Sequence, residues 1–412
     1  MQITNEDRRM SITETDPPRT RGIPRGLSRT GPVLFSYGFR PFFLGGAAWA
    51  IIAMALWIAT VSGIIDIGGS YGSHSWHAHE MIFGFSSAIL AGFLLTAVPN
   101  WTGRLPVSGW PLAILFHLWL CGRVALLVTD LIHPWFAVFV DSLFMPTLLF
   151  ICAREVIAGK KWRDLKVVGG LVALSLANFY FHYEVMVEGH ADLGARLAIS
   201  AYVVLVTVIG GRMIPSFTHN WLNKRGRTDF PVAYNSFDAA AILVGIVALA
   251  QWVFTPAEIW TALWAFMAAG MQMARLVRWK GWTTKSETLV AVLHVGYLFV
   301  PIGFAGIGLS ALGLFDQVAT LHVINVGTVA GMMLAVMTRA TRGHTGRALA
   351  SSWMTNLSYL FIFSCAVVRP LTGVFQSGTM TIYAVSAICW IGAFALYLVE
   401  YGPMLVSARR KA

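Results

Sequence analysis

The stretch Ser75-Trp76-His77-Ala78-His79-Glu80-Met81-Ile82-Phe83-Gly84-Phe85 places two histidines and a glutamate where an apolar run begins, and that run continues to about Val98. About 20 apolar residues suffice to cross a bilayer as a helix, so the stretch reads as the mouth of a transmembrane span. Ionisable side chains are costly there and are functional candidates by default. Two readings compete. His-x-His-Glu is either an interfacial cluster touching water and lipid headgroups, or a metal or heme site. Further histidines at the same depth favour the second.

Composition agrees with a membrane protein. Of 412 residues, 57% are hydrophobic and 12% charged, with a mean hydropathy of +0.66; a soluble domain carries about twice that charged fraction. The 16 tryptophans and 26 phenylalanines suit interfacial belts and helix packing in lipid. A net charge of +11 could suit nucleic acid, but its distribution follows membrane topology, so the expected surroundings are a lipid bilayer and no nucleic acid. The chain to about Arg29 is polar and lacks the apolar centre of a cleavable signal. Cys121, Cys152, Cys365 and Cys389 stand singly in apolar runs, which disfavours a covalently attached c-type heme, an iron–sulfur cluster and a cysteine zinc site.

Apolar runs predict an all-α polytopic membrane protein of about twelve transmembrane helices, near 41–64, 79–99, 109–129, 134–156, 166–186, 193–215, 235–254, 257–277, 287–311, 318–340, 353–371 and 379–400. Basic residues gather on alternate linkers, at Arg104, Lys160 to Arg163, Lys224 to Arg227, Arg278 to Lys285, Arg342 to Arg347 and Arg409 to Lys411. Linkers 130–133, 187–192, 255–256 and 312–317 carry neither Lys nor Arg. By the positive-inside rule both termini are cytoplasmic. The expected organisation is a flexible cytoplasmic tail over 1–34, one transmembrane domain over 35–402 and a basic cytoplasmic tail over 403–412.

Topology gives each histidine a depth. His77, His79, His182 and His322 fall in the outer third, and His294 in the inner half. Gly84, Ala88 and Gly92 form a small-residue stripe that predicts close approach of a neighbouring backbone; extended back, the stripe meets Glu80 and His77. On a helix His77 and His79 lie about 200° apart, so they serve two centres unless His77 belongs to the preceding loop. His77 or His79 together with His322 could sandwich a heme iron, which leaves the other histidine, with His182, for copper or a second iron. Glu80 is the candidate acceptor that orients a ligating ring. Asn178, one turn inward from His182, is the candidate to hydrogen-bond a ligand or substrate. His294 differs in depth from His322 by roughly 13 Å; it is either a ligand of another centre or a packing residue beside Tyr297. Arg123 and Asp141, on adjacent spans, can pair within the bundle. Arg212 and Arg339 end apolar spans at the inner surface, as charge anchors or as ligands of heme propionates.

Several segments together resemble the signature of the NnrS family. They are Trp76-His77-Ala78-His79-Glu80-Met81; Gly92-Phe93-Leu94-Leu95-Thr96-Ala97-Val98-Pro99-Asn100-Trp101-Thr102-Gly103; Gly211-Arg212-Met213-Ile214-Pro215-Ser216-Phe217-Thr218; and His294-Val295-Gly296-Tyr297. The segment from His322 through Val336-Met337-Thr338-Arg339 to Gly343-His344-Thr345-Gly346-Arg347 joins them, and the resemblance runs from about Phe35 to Tyr401. It implies a bacterial inner (cytoplasmic) membrane protein of about twelve helices, associated with nitric oxide metabolism and stress and carrying heme (heme b, given no c-type attachment motif) and copper.

The expected function is therefore binding of nitric oxide at a histidine-ligated metal in the outer half of the membrane. Its reduction, of the nitric oxide reductase type, joins two molecules into nitrous oxide and water with two electrons, from a donor the sequence does not name, and two protons. The alternatives are a non-enzymatic heme protein that protects against nitric oxide, and a secondary transporter. Sparse charge near the midplane argues against transport. No His-Pro-Glu-Val-Tyr motif of the heme–copper oxidase kind is present.

Overall fold

The computed structural model describes residues 31–375 and 378–410, so most of the tail read over 1–34 lies outside the described residues. Helices make up the described chain and no strand interrupts them. They are α1 Phe39–Val61, α2 Ser73–Thr102, α3 Trp110–Leu127, α4 Pro134–Ala158, α5 Trp162–Glu188, α6 Asp192–Asn223, α7 Ser236–Phe254, α8 Ile259–Arg278, α9 Thr288–Ala311, α10 Gln317–His344, α11 Trp353–Gly373 and α12 Thr379–Val406. Eleven are long and apolar enough to cross a membrane; α8 is as long, but Gln272 and Arg275 lower its apolarity. The protein is a multi-pass membrane protein. Its last helix continues through Val406, into the stretch read as a tail.

Local chemistry sets the helix ends. Asn235 caps α7 in a capping box with Asp238, Asp316 caps α10 through Ala319 N at 2.7 Å, and Ser352 caps α11 through Thr355 N at 3.1 Å. Gly103 and Gly189, at φ 75° and 80°, end α2 and α5 in the left-handed conformation.

Neighbours in sequence pack side by side, and α12 closes the ring on α1. The centre belongs to α2, whose apolar window is 94% buried, against 39–44% for the peripheral spans α1, α3, α4, α5, α7, α11 and α12. It touches α1, α3, α4, α6 and α10.

Helices α2 and α10 change pitch just after His79 and His322. In α2 the π-helical segment is Glu80–Phe85, after His79; in α10 it is Val323–Ala330, after His322. A π segment widens the turn, frees backbone groups and often marks a functional site. In α2 those groups find partners: Tyr202 donates to the Ile82 carbonyl at 3.0 Å and Trp119 Nε1 to that of Gly84 at 2.9 Å. In lipid an unmatched carbonyl would cost several kcal/mol.

The small-residue stripe of α2 works differently from expectation. A Cβ at Gly84 would lie 2.6 Å from Arg123 and 2.9 Å from Trp49 Nε1, and one at Gly92 would lie 2.8 Å from the Phe43 ring. The glycines admit side chains, not a neighbouring backbone.

Candidate functional site

The α2 helix begins at Ser73, so His77 lies within the helix and not in the preceding loop. His77 and His79 then point to different neighbours.

His79 enters a polar cluster built from six elements. Its Nε2 lies 3.2 Å from Asp141 Oδ2 on α4 and 3.0 Å from Asn178 Oδ1 on α5. His182, one turn from Asn178, brings its own Nε2 to the same Asp141 oxygen at 2.9 Å. The two imidazole centroids are 4.6 Å apart. Each ring is held at its other nitrogen. Glu80 Oε1 stands 3.2 Å from His79 Nδ1, and the Tyr71 hydroxyl 2.9 Å from His182 Nδ1. Asn178 Nδ2 donates to Asp141 Oδ2 at 3.1 Å. Arg123 on α3 bridges the carboxylates, with 2.9 Å to Glu80 Oε2 and a close pair to Asp141 Oδ1. Trp49 Nε1 of α1 donates to Glu80 Oε2 at 2.6 Å. Gly122 makes room for Asp141, since a Cβ there would lie 2.8 Å from Oδ1. All these side chains are buried.

Two counts mark this cluster. Glu80 and Asp141 carry two negative charges against the one positive charge of Arg123, and an uncompensated buried charge costs several kcal/mol. His79 meets acceptor oxygens at both nitrogens, whereas a neutral imidazole has one N–H to give. Both counts call for one more cation, a proton or a metal, between His79 and Asp141. Donor atoms of His79, Asp141 and His182 all lie within 4.8 Å of one another. Two imidazoles and a carboxylate suit copper, iron or zinc. A partner on the far nitrogen of each ring is the usual support of ligating histidines.

His77 faces a second cavity, of about 130 Å³, shared with His322, Asn325, Arg369 and Tyr383. Its ring stacks on Trp57 at 4.3 Å, and its buried Nδ1 has no partner. His322 Nδ1 binds the Val318 carbonyl at 2.7 Å, which leaves Nε2 for a ligand. Asn325 Oδ1 and Ser386 Oγ, also on this cavity, are buried without partners. The imidazole pair fits an iron or copper ion. The space is smaller than the roughly 300–1,000 Å³ of pockets for organic ligands, so a porphyrin fits only if the walls part.

The remaining predicted residues lie apart from both groups. His294 Nε2 bonds Thr218 Oγ1 at 2.9 Å, and a Cβ at Gly281 would crowd its ring. Arg212 pairs with Asp164 at 2.9 Å and Arg339 lies 4.2 Å over the Phe217 ring. Neither arginine is brought to the histidines.

Residues 33–409 match the family model described as NnrS protein. The chain belongs to the NnrS family. No curated protein matches it at a significant level. Membership marks it as a nitric-oxide-related membrane protein. Within this NnrS-family chain, sequence reasoning had Asp141 only as a partner of Arg123 and did not single out Tyr71 or Arg369 as site residues. An aspartate within an apolar span was the available signal for Asp141; Tyr71, in a Gly-rich linker, gave none.

Proposed function

We propose that this NnrS-family protein binds nitric oxide at a metal, copper or a second iron, held by His79, His182 and Asp141, and reduces it to nitrous oxide in the bacterial inner membrane. The supporting observation is that both Nε2 atoms converge on Asp141 Oδ2 while Glu80 and Tyr71 hold the opposite nitrogens. By the alternation of basic linkers, both termini are cytoplasmic and this site lies in the outer half of the membrane. Nitric oxide is neutral and apolar, so a site enclosed by six elements needs no charged entrance.

His77 and His322 are the pair this chain offers to heme b. When bound, heme b would supply electron storage and the three-donor metal an open position for nitric oxide. Two molecules of nitric oxide, two electrons and two protons give nitrous oxide and water. With the Nε2 atoms and Asp141 turned to the metal, Tyr71 on His182 Nδ1 at 2.9 Å and Glu80 on His79 Nδ1 at 3.2 Å are the groups that can hold and pass those protons. Arg123 fixes both carboxylates. Electrons come from a separate reductant.

Metal analysis, absorption spectra and nitric oxide consumption with an artificial electron donor test this reading on purified protein. Copper or a second iron together with heme in the wild type, with consumption lost in His182→Ala, support it. Binding without consumption would leave a non-enzymatic nitric oxide protein. A His322→Ala protein with wild-type heme content and spectrum would remove the heme assignment.

A further inference from the structure

A cavity far larger than the one beside His77 and His322 belongs to neither histidine group. It is a groove of about 1740 Å³ between α5 and α7, floored by α6. Both walls pack on α6. Its apolar lining includes Val204 and Val208 of α6 and Ile246, Leu249 and Val253 of α7. Leu243 and Ile246 are 62% and 41% exposed, so this wall has no protein cover. From Ala239 to Phe254 the lining runs about 22 Å along α7, most of the ~30 Å thickness of a hydrocarbon core.

One end of the groove is strongly basic. Lys160, Lys161, Arg163 and Lys166 all line it, and no ion pair engages them among the described residues. The one carboxylate there, Asp164, is already paired with Arg212 at 2.9 Å. On the floor, Ser200 is 8% exposed and its Oγ has no partner.

We propose that this groove holds one anionic phospholipid of the bilayer, with its phosphate on the basic rim and its acyl chains along α6 and α7. Each alternative leaves half of the surface unmatched. Free phosphate would use the rim and leave the apolar wall bare. A neutral isoprenoid quinone would cover the wall and leave four cations without counter-charge. Cations beside an anionic lipid surface each contribute a several-fold gain in affinity.

The test uses full-length protein, delipidated in detergent, with phosphatidylglycerol and phosphatidylcholine titrated separately by native mass spectrometry. Wild type is expected to bind phosphatidylglycerol preferentially and with a stoichiometry of one at the tight site. The triple variant Lys160→Ala, Lys161→Ala and Arg163→Ala should bind it roughly 100-fold more weakly. Val208→Trp, which fills the groove, should weaken both lipids alike. Equal affinity of the wild type for the two lipids overturns the proposal. Undiminished phosphatidylglycerol binding by the triple variant, or inorganic phosphate binding as tightly as the lipid, also overturns it. If the triple variant does not elute as a monodisperse protein, salt dependence of the wild type decides. Loss of the headgroup preference at high ionic strength supports the site, and a salt-independent preference overturns it.

Discussion

Two buried arginines organise two polar networks in this bundle, and the networks differ in how they end. Arg275 of α8 meets Asp238 at 2.9 Å, the Thr207 carbonyl at 2.9 Å and the Tyr297 hydroxyl at 2.8 Å. Tyr297 donates onward to Gln272 Oε1 at 2.7 Å, and Gln272 to the Ala241 carbonyl at 3.0 Å. One buried cation faces one buried carboxylate, which the partly exposed Arg278 also approaches at 3.6 Å, and the chain of donors stops on backbone oxygens. Around Arg123 there are two carboxylates to one cation, and two imidazole nitrogens converge on one oxygen. The first network has its carboxylate matched by cations and ties α6, α7, α8 and α9 together. The second is short of one positive charge. Burial and hydrogen bonding do not separate them; charge and donor counts do.

That contrast predicts opposite failures. Arg275→Ala removes the nearer cation of buried Asp238, leaving only Arg278 at 3.6 Å, and should cost about 1–3 kcal/mol of stability, with unchanged metal per folded protein. Thermal unfolding in detergent, paired with elemental analysis of the folded fraction, reads both quantities. A fall in metal content would mean that the Arg275 network also serves the site. His79→Ala and His182→Ala should do the reverse. On the proposed reading each removes a ligand, so the metal affinity of that centre should fall by more than about 100-fold, while the exposed His190→Ala leaves it unchanged. Chelator competition measures the difference; metal binding of wild-type strength in both variants would return the cluster to a purely structural network. Tyr71→Phe sharpens the point with a smaller effect. It keeps every ligand and removes the partner of His182 Nδ1, so affinity should fall about 10-fold. No change would show that Tyr71 only fills space.

Much of this was legible along the chain, and the reasons are physical. Apolar runs of bilayer length mark the helices, because lipid forces every backbone group to be satisfied within its own segment. His77, His79, Glu80, His182 and Asn178 stood out because polar side chains in such runs are costly. The partition of His77 and His79 between two neighbourhoods follows from helical spacing. What was not legible arises between helices. The π segments of α2 and α10 keep an ordinary helical composition, so no residue announces them. Gly84 reads like a packing glycine, yet the space it leaves is filled by Arg123 and Trp49. Gly211 is similar. It reads as part of an Arg212 motif, while a side chain there would collide with the Arg275 guanidinium. Asp141 acquires its central place only when α2, α4 and α5 meet.

The smallest expected effects concern the arginines at the basic end. Arg212 ends an apolar run, which predicts a fixed partner or ligand, and Asp164 is that partner at 2.9 Å, with Trp101 5.5 Å below the guanidinium. The Arg212 side chain is 64% exposed, so water and salt screen the pair. An exposed ion pair contributes about 0–1 kcal/mol. Arg339 is half-buried over Phe217 at 4.2 Å, and such a contact is worth about 0.5–2 kcal/mol depending on desolvation. Arg339→Ala should therefore lower thermal stability more than Arg212→Ala, and neither should change the metal content or spectrum. The sign of that order tests burial against charge at this end of the molecule. Loss of heme in Arg212→Ala would place a ligand at the basic end, far from the histidines. The division between a network that binds and networks that merely hold would then have to be redrawn.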